Sequence, residues 1–158
     1  MRIEEVMCRD VQYCRPEDSL ESAARLMWEH DCGCAPVCTG EGEQRVVGMI
    51  TDRDISMCAL FQGKPLSQLQ VRDAMSRDVG ACAPADDTSR VERLMSERQV
   101  RRVPVVNEEG NLIGIVSLAD LVRHAKPRNS RAAGRVTESE IRETLAGICA
   151  PRRGDEPA

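Results

Sequence analysis

The feature that most constrains this chain is internal. Displaced by 68 residues, "MCRDVQYCRPEDSLESAARLMWEHDCGCAPV" (7–37) lies on "MSRDVGACAPADDTSRVERLMSERQVRRVPV" (75–105) without a gap. Thirteen of the 31 aligned positions are identical, where ordinary residue frequencies would give about two. Met7/Met75, Asp10/Asp78, Val11/Val79, Cys14/Cys82, Pro16/Pro84, Leu26/Leu94, Met27/Met95, Pro36/Pro104 and Val37/Val105 are among them. After a loop two residues longer in the first copy, Gly48 pairs with Gly114, Thr51 with Ser117 and Asp54 with Asp120. Two copies make a duplication rather than a solenoid. Whatever the fold is, it is built twice.

Each copy reads the same way locally. Asp18 and Glu21, after Pro16, resemble a capping box at a helix start. Leu20, Ala23, Ala24 and Met27 then fall at i, i+3, i+4 and i+7, an apolar stripe on one helical face. Val91, Leu94 and Met95 repeat it. Short strands are expected around 35–38 and 103–106, followed by the Gly-containing turns "TGEGEQ" and "NEEGN". Second strands follow at 45–50 and 112–116, then second helices opening at "TDRD" and "SLAD". Gly63 and Pro65 stop the first of these.

Each unit is therefore β-α-β-β-α, with a brief extended segment (9–14 or 77–82) in front. One such unit would hardly bury a core alone. Two packed sheet to sheet with pseudo-twofold symmetry, helices outside, would do so. The expected fold is thus α/β (α+β): repeat 1 over 1–63, a linker over 64–74, repeat 2 over 75–125, and a tail over 126–158. The tail opens with the basic, loop-like "KPRNSRAAGR". A short helix follows, with Thr137 and Glu140 as its capping box and Ile141, Leu145 and Ile148 as its apolar stripe. That helix has two possible seats, its own body or a partner's, and the last residues read as frayed.

Composition narrows the class. Aromatic residues are 2 % of the 158, so the core must be aliphatic and sulfur-containing; the net charge of −4 gives no electrostatic reason to expect nucleic acid. No apolar run reaches the roughly 18 residues of a membrane span, and no basic-then-apolar leader opens the chain, so a cytoplasmic protein is expected. Eight cysteines in that setting are expected to be reduced thiols. Cys32, Cys34 and Cys38 raise a zinc hypothesis, but C-x-C-x3-C is not a pair of C-x2-C knuckles, and the preferred reading is small core residues. His30 and His124 lie far apart in the repeat scheme, Asp52 and Asp54 point to different helical faces, and no phosphate-loop or dinucleotide fingerprint is present. No catalytic machinery is found, so an enzyme is not expected.

The twice-given order "DV…P…LM…PV…G-apolar-apolar-[ST]-x-x-D" resembles a tandem pair of CBS domains, the cystathionine-β-synthase-type regulatory module, over about residues 3–125. The resemblance implies a sheet-to-sheet pair with a cleft on either side, often dimerising into a flat disc of four repeats. It also implies an adenine-containing ligand such as AMP, ADP, ATP or S-adenosylmethionine.

From the residues themselves, Gly48 and Gly114 let a ligand or neighbouring backbone approach closely. Thr51 and Ser117 can cap a helix and still face a ligand. Asp54 and Asp120, one turn in, are acceptors suited to ribose hydroxyls, though an Asp in a first turn also serves the helix dipole alone. The family pattern joins the acidic motif of one repeat to the segment before Pro-Val of the other. One pocket would then hold Thr51, Arg53 and Asp54 with Arg101, Arg102, Val103 and Pro104, and Val79 in the adenine wall. The paired guanidinium groups suit phosphate oxygens. The other would hold Ser117 and Asp120 with Cys34, Ala35 and Pro36, and Val11 in the wall. Gly33 and Cys34 stand there in place of Arg101 and Arg102, so phosphate should bind less well. The expected function is a ligand-sensing regulatory module for an adenine nucleotide, acting as a homodimer on another protein. The alternatives are a dimerisation scaffold with vestigial pockets, or a binder of S-adenosylmethionine or NAD.

Overall fold

The computed structural model describes residues 1–40, 42, 44–124 and 136–150. The described residues fall into two compact units. The first comprises Asp10–Val79 with Val106–Ile113; the second comprises Met1–Arg9, Gly80–Val105 and the described residues from Gly114 onward. The fold is mixed α/β, with two small antiparallel sheets of two strands each.

In the first unit, α1 (Leu20–Glu29) leads to β1 (Cys34–Thr39), β2 (Arg45–Thr51) and α2 (Asp52–Gln62). The stripe read from the sequence is the buried one: Leu20, Ala23 and Met27 enter a core with Val37, Ile50 and Ile55. The expected start of α1 is displaced. Ser19 is its N-cap, accepting from the Ser22 N–H, while the Asp18 carboxylate accepts from the Arg15 N–H before the helix. Serine caps as well as aspartate does, and Asp18 is consumed by the turn that follows Pro16. α2 ends at Gly63, whose φ of 61° is the left-handed conformation expected there. Residues 64–74 hold a 3-10 turn (Leu66–Gln68) and a one-turn helix α3 (Val71–Ala74), and Leu69 and Val71 are buried in the same core.

The second repeat follows the same plan. A 3-10 turn (Ile3–Glu5) precedes α4 (Thr88–Arg98), β3 (Arg102–Val106), β4 (Leu112–Ser117), α5 (Leu118–His124) and α6 (Glu138–Ile148). Val91, Met95, Val103, Val105, Val116 and Leu121 are fully buried, so the core is aliphatic, as the scarcity of aromatics requires.

The front of each copy differs from the expected leading strand. Segments 9–14 and 77–82 make single parallel bridges, Cys14 to Val37 and Cys82 to Val105. The residues just before them turn to the other copy's sheet. Ser76 exchanges backbone hydrogen bonds with Met49, and Cys8 with Ile115. This explains Gly48 and Gly114: a Cβ there would lie 2.9 Å and 2.7 Å from the sulfurs of Met75 and Met7. Each glycine admits the chain's own backbone and methionine.

Candidate functional site

Both motifs sit where a strand feeds a helix. Thr51 keeps the extended backbone of β2, and its hydroxyl accepts from the Asp54 N–H at 3.1 Å. The Asp54 carboxylate oxygen Oδ2 accepts in return from the Thr51 N–H at 2.9 Å and from its hydroxyl at 2.7 Å. Ser117 and Asp120 reproduce this set at 3.2, 2.8 and 2.6 Å. The capping role is thus real in both copies, and it occupies one carboxylate oxygen of each aspartate.

The second oxygens differ. Oδ1 of Asp54, which is half-buried, has no hydrogen bond among the described residues. Asp120 is buried, its Oδ1 accepts from the Arg123 guanidinium, and its carbonyl accepts from His124 Nδ1. Two motifs with the same spacing therefore present one open acceptor and one closed acceptor.

The segment before each Pro-Val strand lies against the helix start of its own copy. The Asp52 N–H donates to the Gly33 carbonyl at 3.1 Å, and the Leu118 N–H to the Arg101 carbonyl at 2.9 Å. Arg101 is exposed, Arg102 is half-buried in β3, and Val103 and Pro104 are buried. Thr51, Arg53, Asp54 and Val79 belong to the first unit with Val11, Cys34, Ala35 and Pro36. Arg101, Arg102, Val103, Pro104, Ser117 and Asp120 belong to the second.

One feature the sequence did not disclose is a cavity of about 480 Å³ in the first unit, lined by residues of α1, the turn after it and α2. Met27, Trp28, Asp31, Cys32, Asp52 and Ile55 are among its lining residues. Trp28 is 87 % exposed and Phe61, on α2, 81 %.

Among the described residues no three His, Cys, Asp or Glu side chains are placed to share an ion. Burial raises the Cys14 thiol to about 12, with Asp18, Cys32 and Cys38 adding to the rise. Burial raises Cys38 to about 11, and Cys82, with Asp86 contributing, to about 12. Burial thus favours the neutral thiol at these three positions.

A duplicated α-β-β-α unit with a strand-to-helix [ST]-x-x-D box in each copy defines a paired, motif-bearing module. The sequence profile of the CBS domain matches residues 3–59 and 71–126. The chain belongs to the CBS domain family, as a CBS domain pair, and CBS domain pairs are ligand-sensing regulatory modules. It is 36 % identical over 120 residues to the CBS domain-containing protein YhcV of Bacillus subtilis, covering 75 % of this chain and 81 % of that one. It is 34 % identical over 151 residues to hypoxic response protein 1 of Mycobacterium tuberculosis, covering 93 % of each. A crystal structure of Hypoxic Response Protein I with two coordinated zinc ions matches at a TM-score of 0.71 and 33 % identity, over 80 % of this chain and 100 % of that one. The CBS domain pair of protein MJ0100, in complex with 5'-methylthioadenosine and S-adenosyl-L-methionine, matches at 0.68 and 25 %, over 78 % and 98 %. Among the described residues no helix is long and apolar enough to cross a membrane.

Proposed function

We propose that this CBS pair binds an adenine nucleotide of the AMP, ADP or ATP type and signals by conformational change to a partner protein, without catalysing a reaction. The observation that carries the reading is the open Oδ1 of Asp54 at a strand-to-helix boundary, in a chain that also supplies the adjacent Arg101 and Arg102. A carboxylate oxygen can accept from ribose hydroxyls, and paired guanidinium groups can donate to phosphate. Thr51, Arg53, Asp54 and Val79 with Arg101, Arg102, Val103 and Pro104 form the proposed nucleotide set. Val11, Cys34, Ala35, Pro36, Ser117 and Asp120 form the weaker second set, whose aspartate is already paired. Signalling requires only that the ligand favour one arrangement of the protein over another.

A second reading has its own support. The ligands of the MJ0100 pair carry adenosine without a phosphate, so an S-adenosyl compound is the alternative ligand class. The exposed Trp28 on α1 and the exposed Leu60 and Phe61 on α2 support a homodimer, since large apolar side chains in the open mark contact surfaces.

Isothermal titration with AMP, ADP, ATP, NAD and S-adenosylmethionine, run on the wild type, Asp54→Ala and Arg102→Ala, tests the proposal. Saturable nucleotide binding lost in both variants is expected. Binding unchanged in both would move the site to Ser117 and Asp120. No heat with any ligand would favour a dimerisation scaffold.

A further inference from the structure

The C-terminal helix docks on a face rotated away from Leu145. Leu145 is 44 % exposed, whereas Thr144 is buried and Gly147 presses on α4. A Cβ at Gly147 would lie 2.7 Å from the Cβ of Ser96. Ser96 donates its hydroxyl to the Thr144 carbonyl at 3.3 Å, and the Gln99 amide donates to the Ala150 carbonyl. The docked face is centred on Thr144, with Glu140 and Gly147 on one side and the half-buried Ile141 and Ile148 on the other.

Glu92 lies on the α4 face of the same contact. It is 7 % exposed, and its Oε1 is buried without a hydrogen bond among the described residues. From α6, Glu140 and Glu143 bear on it; from the N-cap of α4, Asp87 does; the Met1 amine is the one opposing charge in this set. That amine already bridges Asp87 at 3.0 Å. The Ser89 N–H, then the amine, hold the Asp87 carboxyl below its usual range, so Asp87 stays charged. α5, which also packs on α6, carries Asp120, Arg123 and His124, and their hydrogen bonds are with one another. Burial first, then Glu140 and Asp87, raise the Glu92 carboxyl from 4.5 to about 7.

We propose that α6 is a releasable cap on α4, docked while Glu92 is neutral and loosened when Glu92 ionises against Glu140 and Glu143. The protonated acid is compatible with burial; the carboxylate is not, because it would sit unpaired among like charges. The direction follows from linkage. The raised acid contributes docking that is complete below pH 4.5, declines as pH climbs toward about 7, and is constant above it. The cap thus responds to pH across the mildly acidic range.

The test is hydrogen exchange by mass spectrometry on the whole chain, following peptides within 136–150 at pH 5 and pH 7.5 with intrinsic rates removed. Opening of α6 is expected to rise about tenfold or more between the two in the wild type. It should be flat in Glu92→Gln, which keeps the shape and removes the charge. In the double variant Glu140→Gln/Glu143→Gln the rise should shrink, with Thr137 still capped by the amide oxygen. Opening equal at both pH values in the wild type, or an undiminished rise in Glu92→Gln, would overturn the proposal.

Discussion

The outer helices of the two repeats have the same origin and opposite fates. In repeat 2, α6 lies on α4; in repeat 1, α1 meets the short 3-10 turn Leu66–Gln68 and α2, and a cavity is lined by residues of these elements. The difference reduces to three aligned positions. Ser96 corresponds to Trp28, Glu92 to Ala24 and Gln99 to Asp31. Ser96 is small enough for Gly147 to approach; Trp28 is not. Gln99 donates to a carbonyl of the docked segment, which Asp31 as an acceptor cannot do. Both residues hold the same left-handed turn, φ 52° and 47°. The backbone was conserved within the duplication, and the side chains decided which face takes a helix.

Exchanging the two faces is the most disruptive way to break that comparison. Ser96→Trp installs the repeat 1 residue under α6 and should release the helix entirely, abolishing hydrogen-exchange protection over 138–148, since overpacking a close contact costs about 1–3 kcal/mol. Protection retained would mean that α6 is held by something other than the Ser96–Gly147 approach. Gly147→Ala is the gentler form of the same test. It should weaken docking by about 1–2 kcal/mol, less than the Trp because Ser96 can give way slightly. Next come the caps, where the repeats should agree. Thr51→Ala and Ser117→Ala should each lower stability in urea by about 1 kcal/mol, because each removes the same hydroxyl from the same box. The smallest effect belongs to the open face: Trp28→Ser should change the monomer's stability by less than about 0.5 kcal/mol. If the homodimer forms there, its dissociation in sedimentation equilibrium should still become easier. A large loss of monomer stability would mean that Trp28 is not free of the core.

Much of this was legible in the sequence, and the misses have local causes. The duplication fixed two copies of each helix and strand, and Gly63, Thr51 and Thr137 marked helix ends correctly because their chemistry is local. The start of α1 slipped by one residue because Asp18 and Ser19 compete for one role, and only the turn after Pro16 settles it. The seat of α6 was left open between its own body and a partner, because the close approach of Gly147 to Ser96 that decides it is a tertiary fit. Glu92 had a signal: it stands beside the apolar stripe where its repeat partner is Ala24. The motif residues were found, but the difference between them was not. That Asp120 pairs with Arg123 while Asp54 keeps an oxygen open depends on rotamers, which spacing does not reveal.

That last difference allows the most direct test of the nucleotide-sensor account. Thermal unfolding would be followed with and without AMP in the wild type, Asp54→Asn and Asp120→Asn, substitutions that keep an acceptor for the cap. The account predicts that AMP raises the midpoint of the wild type and of Asp120→Asn, by ligand linkage to the native state, and leaves Asp54→Asn unchanged. Stabilisation that survives in Asp54→Asn and disappears in Asp120→Asn would contradict it.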